Sequence, residues 1–252
     1  QDSYNIWIED QNIAKLGIGG WGTAFNVGRN FDTENRVYLG YQFSRRDGEV
    51  LTGNPNLLTD PKVKIGELTL QYLHDSLDNI WFPTSGQRHQ LQYLYASEEL
   101  GAGSDYRQAF GNGNMAFSHG RNSWLFSYEL GYSFDDAAPV ERWFRLGGFG
   151  RLSGLAPDQL LGRNIALATV AYYRRLNNMD LLSAFAGFTL ETGNVWDFAD
   201  EIGFDDLNYA GSVFVGAETP LGPVYAALGY DNNGEATAYF YLGNPFRVRR
   251  FE

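Results

Sequence analysis

The 252-residue sequence predicts an all-β fold: an antiparallel transmembrane β-barrel of about 12 strands. Three observations predict it. Segment after segment alternates apolar with polar residues at period two, the pattern of a strand with one face in oil and the other in water. Aromatic residues make up 16%, with 16 Tyr and 18 Phe, and Gly fills 30 positions. Mean hydropathy is nevertheless −0.34, so the chain is aromatic-rich without being greasy. No run approaches the ~18 apolar residues of a transmembrane helix, whereas a transmembrane strand needs only about 9–11.

Twelve segments carry the alternation, near residues 3–9, 13–28, 35–50, 63–75, 86–98, 105–119, 122–134, 165–176, 180–193, 207–219, 223–231 and 235–243. The second and sixth are blurred. In the third, Val37, Leu39, Tyr41 and Phe43 oppose Tyr38, Gly40 and Gln42; in the fifth, Leu91, Tyr93 and Tyr95 oppose Gln90 and Gln92. The seventh, "NSWLFSYELGYSF", is the clearest. It sets Trp124, Phe126, Tyr128, Leu130, Tyr132 and Phe134 against Ser127, Glu129, Gly131 and Ser133, a polar face suited to a crowded wet lumen. In the ninth, Leu182, Ala184, Ala186, Phe188 and Leu190 oppose Ser183, Gly187, Thr189 and Glu191. An even strand number allows a closed single-chain barrel, and closure removes the exposed edges of a long all-β chain.

The connections alternate in kind. "PLG" at 220–222 and "NNG" at 232–234 read as tight hairpins, whereas 52–62, 99–104, 135–164 and 194–206 are longer. Longer loops normally face outward from the cell and shorter turns the periplasm. One composition regime runs throughout, giving one domain: a barrel over 1–246 with a long loop at about 135–164, and a tail, "RVRRFE", over 247–252. Within the long loop, "GGFGRLSGLAPDQLLG" (147–162) breaks the alternation.

"ERWFRLGGFGRLSGL", "FTLETGNVW", "ETPLGPVYAALGY" and "YFYLGNPF", with "HDSLDNIWFPTSGQRHQL" before them, resemble the bacterial surface antigen superfamily of outer-membrane barrels in order and spacing over about residues 63–246. That family includes the BamA and TamA assembly factors, the two-partner-secretion transporters and the barrels of patatin-like autotransporters. "LGGFGRLSGLAPDQLLG" and "AYYRRL" are similar in wording to the last branch. Its barrels usually have about sixteen strands, and these segments align with the last twelve. The resemblance implies that the loop at about 135–164 folds into the lumen, where a segment has no lipid to face and Gly and turn residues replace the alternation, and that its tip carries an arginine paired with an acid on the inner wall. Aligned on Gly147 and Gly148, the arginine position holds Ser153, followed by Gly154, with Arg151 two residues earlier. In an extended segment i and i+2 point the same way, so Arg151 is expected to pair with Glu191 in "FTLETG". Tyr239, Tyr241, Gly243 and Phe246 resemble the family's closing-strand signal, read by the barrel assembly machinery as an edge strand.

The expected function is an outer-membrane barrel acting non-enzymatically as pore, transporter or protein translocation/insertion barrel. Gln42, Gln90, Gln92, Ser127, Glu129 and Glu191 are expected to line any aqueous path, with a preference for cations. Two alternatives stay open: the membrane anchor of a patatin-like phospholipase autotransporter, and an intrinsic outer-membrane phospholipase. No Gly-x-Ser-x-Gly elbow is present; "GRLSG" lacks the spacing. His74, His89 and His119 read as interface or lumen residues, with His119, near Ser118 and Ser123, the position to test for lipid hydrolysis. Asp197, Asp200, Glu201, Asp205 and Asp206 lack calcium-loop spacing and read as a solvated outer loop, so no metal and no cofactor is expected. The net charge of −11 argues against nucleic acid, and without Cys there is no disulfide or thiolate chemistry. Expected partners are the lipid bilayer and lipopolysaccharide, the assembly machinery, an upstream passenger domain and a second copy of the chain. Either a signal peptide has been removed before Gln1 or the chain begins inside a larger protein.

Overall fold

Period-two alternation specifies which face a strand turns to lipid, and register follows because a slip of one residue would put every apolar side chain in the lumen. In the computed structural model, which describes residues 2–8, 11–52, 62–176 and 183–243, these segments form one 12-stranded antiparallel sheet. Its strands are β1 (Asp2–Ile8), β2 (Gln11–Asn30), β3 (Asn35–Thr52), β4 (Lys62–Asp75), β5 (Gly86–Ala96), β6 (Tyr106–His119), β7 (Asn122–Ser133), β10 (Asn164–Arg175), β11 (Ser183–Trp196), β12 (Asn208–Thr219), β13 (Gly222–Asp231) and β14 (Ala236–Leu242). Two further strands, β8 (Phe144–Leu146) and β9 (Leu160–Gly162), pair only with each other inside the 134–163 loop. β7 therefore pairs directly with β10 across that insertion. Among the described residues, the pairings run in order from β1 to β14, and none joins these two.

The faces sort as the alternation requires. Leu39, Leu70, Leu91, Leu130, Leu190, Val213 and Leu228 point outward and are exposed, forming the lipid-facing band. The inner face departs from the expected wet lumen. Leu125, Tyr173, Phe185, Phe214, Tyr225 and Tyr239 point inward and form an aromatic core with Phe82 and Phe149. These two rings come from connections rather than strands: Phe149 from the 134–163 loop and Phe82 from the turn between β4 and β5. Alternation assigns Leu125 and Phe185 to the inner face but is silent on the stoppers they pack against.

Connection length also sorts differently from the expected pattern. The ten-residue connection 76–85 lies at the same end as the tight turns 120–121 and 220–221, and the short "NNG" turn lies at the end of the long loops. The 76–85 connection is long because it folds inward. Phe82, 2% exposed, stacks on Phe185 at 3.9 Å between ring centroids and on Tyr225 at 5.0 Å. The Tyr173 hydroxyl donates to the Pro83 carbonyl, and Asn79 Nδ2 reaches Glu218 Oε1 at 2.9 Å. The turn thus ties β4 to β10–β13 on the opposite wall, which shows the sheet curled upon itself.

Asp78 folds that turn. Its Oδ1 accepts from the Thr84 and Ser85 N–H groups at 2.8 and 3.0 Å, and its Oδ2 from the Thr84 hydroxyl. Partial burial pulls its pKa up, but these hydrogen bonds outweigh it and hold the carboxyl below the ordinary carboxylate range. A folded pKa below the unfolded value of about 3.9 means that protonation favours unfolding. The contribution of Asp78 is complete above that pH and is lost as pH falls through the folded value. Asp78→Asn is expected to lower stability at neutral pH and to make the acid limb of the unfolding curve, followed by tryptophan fluorescence, shallower.

Candidate functional site

The segment that breaks the alternation fills the lumen. After the short 3₁₀ turn Val140–Arg142, the β8–β9 hairpin carries a tip over 147–159. Gly147 begins the tip at φ +122°, where an added Cβ would lie 2.3 Å from the Ala156 carbonyl oxygen, so only Gly fits. Gly148 follows at φ +109°. The tip is a series of tight turns: the N–H of Arg151 bonds to Gly148 O at 2.9 Å and that of Leu155 to Leu152 O at 3.0 Å.

Two inner-wall carboxylates receive the tip, and they divide it differently from the expected pairing. Arg151 does not meet Glu191. Its Nε and Nη2 donate to Glu129 Oε1 and Oε2 at 2.7 and 2.8 Å, a two-point contact, and Nη2 also reaches the Arg145 carbonyl at 2.7 Å. Glu191 is held instead by Ser153, whose N–H and hydroxyl donate to Oε2 and Oε1 at 2.5 Å each, and by the Thr189 hydroxyl. The i, i+2 rule fails because the segment is not extended. Leu152 between them adopts φ +68°, sending Arg151 to β7 and Ser153 to β11. Those strands flank β10, where Leu167 pairs with Glu129 and Thr169 with Glu191. The two acids are therefore two interstrand spacings apart across the sheet, about 10 Å, and offset by two residues along it.

The tip also grips the last strands. Gly154 lies against Asp231 at the end of β13, where a Cβ on Gly154 would come within 2.5 Å of the Asp231 nitrogen. On β14, the Thr237 hydroxyl donates to Gly154 O at 2.6 Å and the Tyr239 hydroxyl to Ser153 O at 2.9 Å and Leu155 O at 2.5 Å. Tyr239 is buried beneath the tip, Tyr241 is half-buried beside it, and Gly243 donates its N–H to Pro223 O at 2.8 Å. Phe246 and the tail 247–252 lie outside the described residues.

A second latch has no counterpart in the sequence reading. Arg142, 3% exposed, donates from Nε to Glu67 Oε1 at 2.7 Å and from Nη2 to Glu67 Oε2, while the Tyr106 hydroxyl donates to the same carboxylate. Glu67 on β4 is 1% exposed, so this ion pair is dry. Gln108 Nε2 fixes the Arg142 carbonyl at 3.1 Å. The legible half of the signal is Glu67, a carboxylate at a lumen-facing position of its strand.

The expected path residues separate into two groups. Gln42, Gln90 and Gln92, with Asn26, Arg36 and Gln71, line a polar cavity of about 420 Å³ beneath β2–β5, while Glu129 and Glu191 lie under the loop tip and Ser127 is half-buried on the same wall. The charged residue of that lining is Arg36, so the cavity lacks the acidic character that net charge suggests. The acidic loop at 197–206 is exposed, and no metal-binding group of acids and histidines occurs among the described residues. His119 faces lipid while Ser123 faces the lumen, so they share no site. Sequence reading takes His74 as an interface or lumen residue, although a serine stands two residues beyond it in His74-Asp75-Ser76. These two come together: Ser76 Oγ lies 3.5 Å from His74 Nε2.

Comparison with known proteins adds a family and a fold. A model described as the Omp85 superfamily domain matches residues 3–246. No curated protein sequence matches the chain. Among solved structures, BamA from Haemophilus ducreyi lacking POTRA domains 1–3 is similar, with a TM-score of 0.72 and 14% identity over 90% of this chain and 54% of that one. The likeness is one of fold, and this chain spans about half the length of that solved chain.

Proposed function

Because the chain belongs to the Omp85 superfamily of bacterial outer-membrane barrels, we propose that it is a translocation or insertion barrel held shut by its own lumen loop. The loop and lumen do no covalent chemistry; their work is to open and close. One observation carries this reading. The tip is tied at once to β7 through Glu129, to β11 through Glu191 and to the final strand through Tyr239 and Thr237. Withdrawal of the tip therefore unblocks the lumen and releases β14 in the same movement. β14 is a terminal strand of the sheet, and a strand edge is the surface on which an incoming strand adds by backbone hydrogen bonding. The lipid bilayer with its lipopolysaccharide as surroundings, and assembly machinery that reads Tyr239, Tyr241, Gly243 and Phe246 during biogenesis, belong to the same proposal.

The test is folding of an unfolded small outer-membrane barrel into liposomes that contain this protein. Faster acquisition of heat-resistant mobility than in empty liposomes is expected; no acceleration overturns the reading. In planar bilayers, Arg151→Ala is expected to give larger and noisier openings than the parent. An Arg151→Ala, Glu129→Gln double variant should be milder in stability, because no buried charge is then left unpaired.

A further inference from the structure

The outer wall carries a constellation that the lumen does not use. Asn35 on β3, His74 on β4 and His89 on β5 are direct cross-strand partners on the lipid-facing side, and Ser76 follows just past the end of β4. The hydrogen bonds there have a direction. Ionised Asp32 can only accept, and it takes Asn35 Nδ2 at 3.0 Å on Oδ1 and 2.8 Å on Oδ2. The Asn35 side chain, with the N–H groups of Glu34 and Asn35, holds the Asp32 carboxyl below its usual range. Asn35 Nδ2 is thus committed, and Oδ1 must accept: it takes the Tyr72 hydroxyl at 2.6 Å and His74 Nδ1 at 3.1 Å. His74 accordingly carries its proton on Nδ1. Its Nε2 lone pair faces Ser76 Oγ at 3.5 Å and Gln87 Nε2 at 3.4 Å.

This is a nucleophile, a base, and a third group that orients the base and fixes its tautomer. Further along the same wall lies an apolar groove of about 580 Å³, floored by Ala109 and Gly111 and walled by Tyr72, Leu91, Tyr93 and Leu130. Tyr72 belongs to both, and Leu91, its partner in the groove, is two residues from His89. We propose that Ser76, with His74 as its base and Asn35 as its positioning residue, hydrolyses an acyl ester of a membrane glycerophospholipid whose chain lies in this groove. The substrate class follows from the place. The groove accepts hydrocarbon, and the relay lies just beyond its Tyr72–Leu91 margin, one same-face step along β4 and β5 toward the strand ends, where a lipid's polar ester region would follow its chain.

In the resting arrangement the Ser76 hydroxyl donates to Gln87 O at 3.2 Å and accepts from Gln87 N at 3.2 Å. Turning that proton toward His74 Nε2 starts the reaction. Ser76 Oγ bonds to the carbonyl carbon, its proton passes to Nε2, and the carbonyl π pair moves to oxygen, where the Gln87 side-chain amide donates. On collapse the bond from carbon to the glycerol oxygen breaks, and the imidazolium returns the proton to that oxygen. Water then attacks the acyl-serine with His74 again taking and returning a proton, releasing the fatty acid and restoring Ser76. Water is the only co-reactant.

The test uses the full chain with micelles of dioctanoylphosphatidylcholine, measuring fatty-acid release, and a fluorophosphonate probe located by mass spectrometry. Release by the parent protein and labelling at Ser76 are expected. Ser76→Ala should reduce release to background and His74→Ala by about 100-fold or more. Asn35→Leu should lower kcat with KM unchanged, a split that a merely structural residue does not produce. All variants should keep the heat-resistant mobility and closed conductance of the parent. No release above that of Ser76→Ala, or labelling confined to another residue, overturns the proposal.

Discussion

Arg142→Ala is expected to cost about 3–5 kcal/mol of barrel stability, because it leaves the Glu67 carboxylate buried without its cation. Glu67 accepts from both the Arg142 guanidinium and the Tyr106 hydroxyl in a place closed to water. Removing the cation leaves the carboxylate with one donor, and Tyr106 cannot neutralise it. Urea unfolding in lipid vesicles, followed by tryptophan fluorescence, measures the loss. The revealing comparison is the triple variant Arg142→Met, Glu67→Leu, Tyr106→Phe, which removes every member together and should lose less than Arg142→Ala alone. Equal losses would show that the site matters for its packing rather than its charge. The latch joins the loop to β4, 75 residues away in sequence, so the single variant should also loosen the loop in hydrogen exchange.

Gly229→Ala is expected to unseat the plug with one methyl group. A Cβ on Gly229 would lie 1.9 Å from Ser153 O and 2.4 Å from Ser153 C, both backbone atoms that move only if the tip moves. Overpacking of this kind costs about 1–3 kcal/mol. Here it also pulls Ser153 from Glu191, removing donors from a buried carboxylate. The expected result is lower stability and, in planar bilayers, a channel open for a larger fraction of time. Gly19→Ala is the control: an added methyl there meets nothing within 4 Å. If Gly229→Ala conducts as the parent does, the tip yields without leaving the wall, and the lumen is closed by something other than this contact.

The strands were legible because a barrel wall obeys one rule along its whole length. All 12 expected segments appear as strands of the large sheet, including the blurred 13–28 and 105–119. What alternation conveys is the face a residue takes, and its information ends there. Phe185 could be assigned inward from its strand's alternation but not paired with Phe82, whose position depends on an entire turn folding back. The loop was legible as an insertion from its loss of pattern, and its place in the lumen from the family resemblance. Its contacts were not, because the direction of Arg151 is decided by the left-handed backbone of Leu152, a residue whose type gives no warning of it. Arg142 and Glu67 come from separate parts of the chain, and nothing local to either names the other. The Asn35–His74–Ser76 arrangement had a visible trace in the His-x-Ser spacing; its third member stands on a neighbouring strand and is found only through register.

Tyr225 touches both stoppers of the barrel. Its ring stacks on Phe82 from the turn at one mouth and lies 6.1 Å from Phe149 of the loop that enters from the other. The two stoppers thus share a seat, and removing either takes contacts from the ring that supports the other. Coupling through such a seat is reciprocal: if opening one mouth favours opening of the second, opening the second favours the first by the same factor. Under the proposed gating the barrel is expected to behave as a valve with interlocked ends rather than as a tube with two separate lids, the link between them being the single ring of Tyr225.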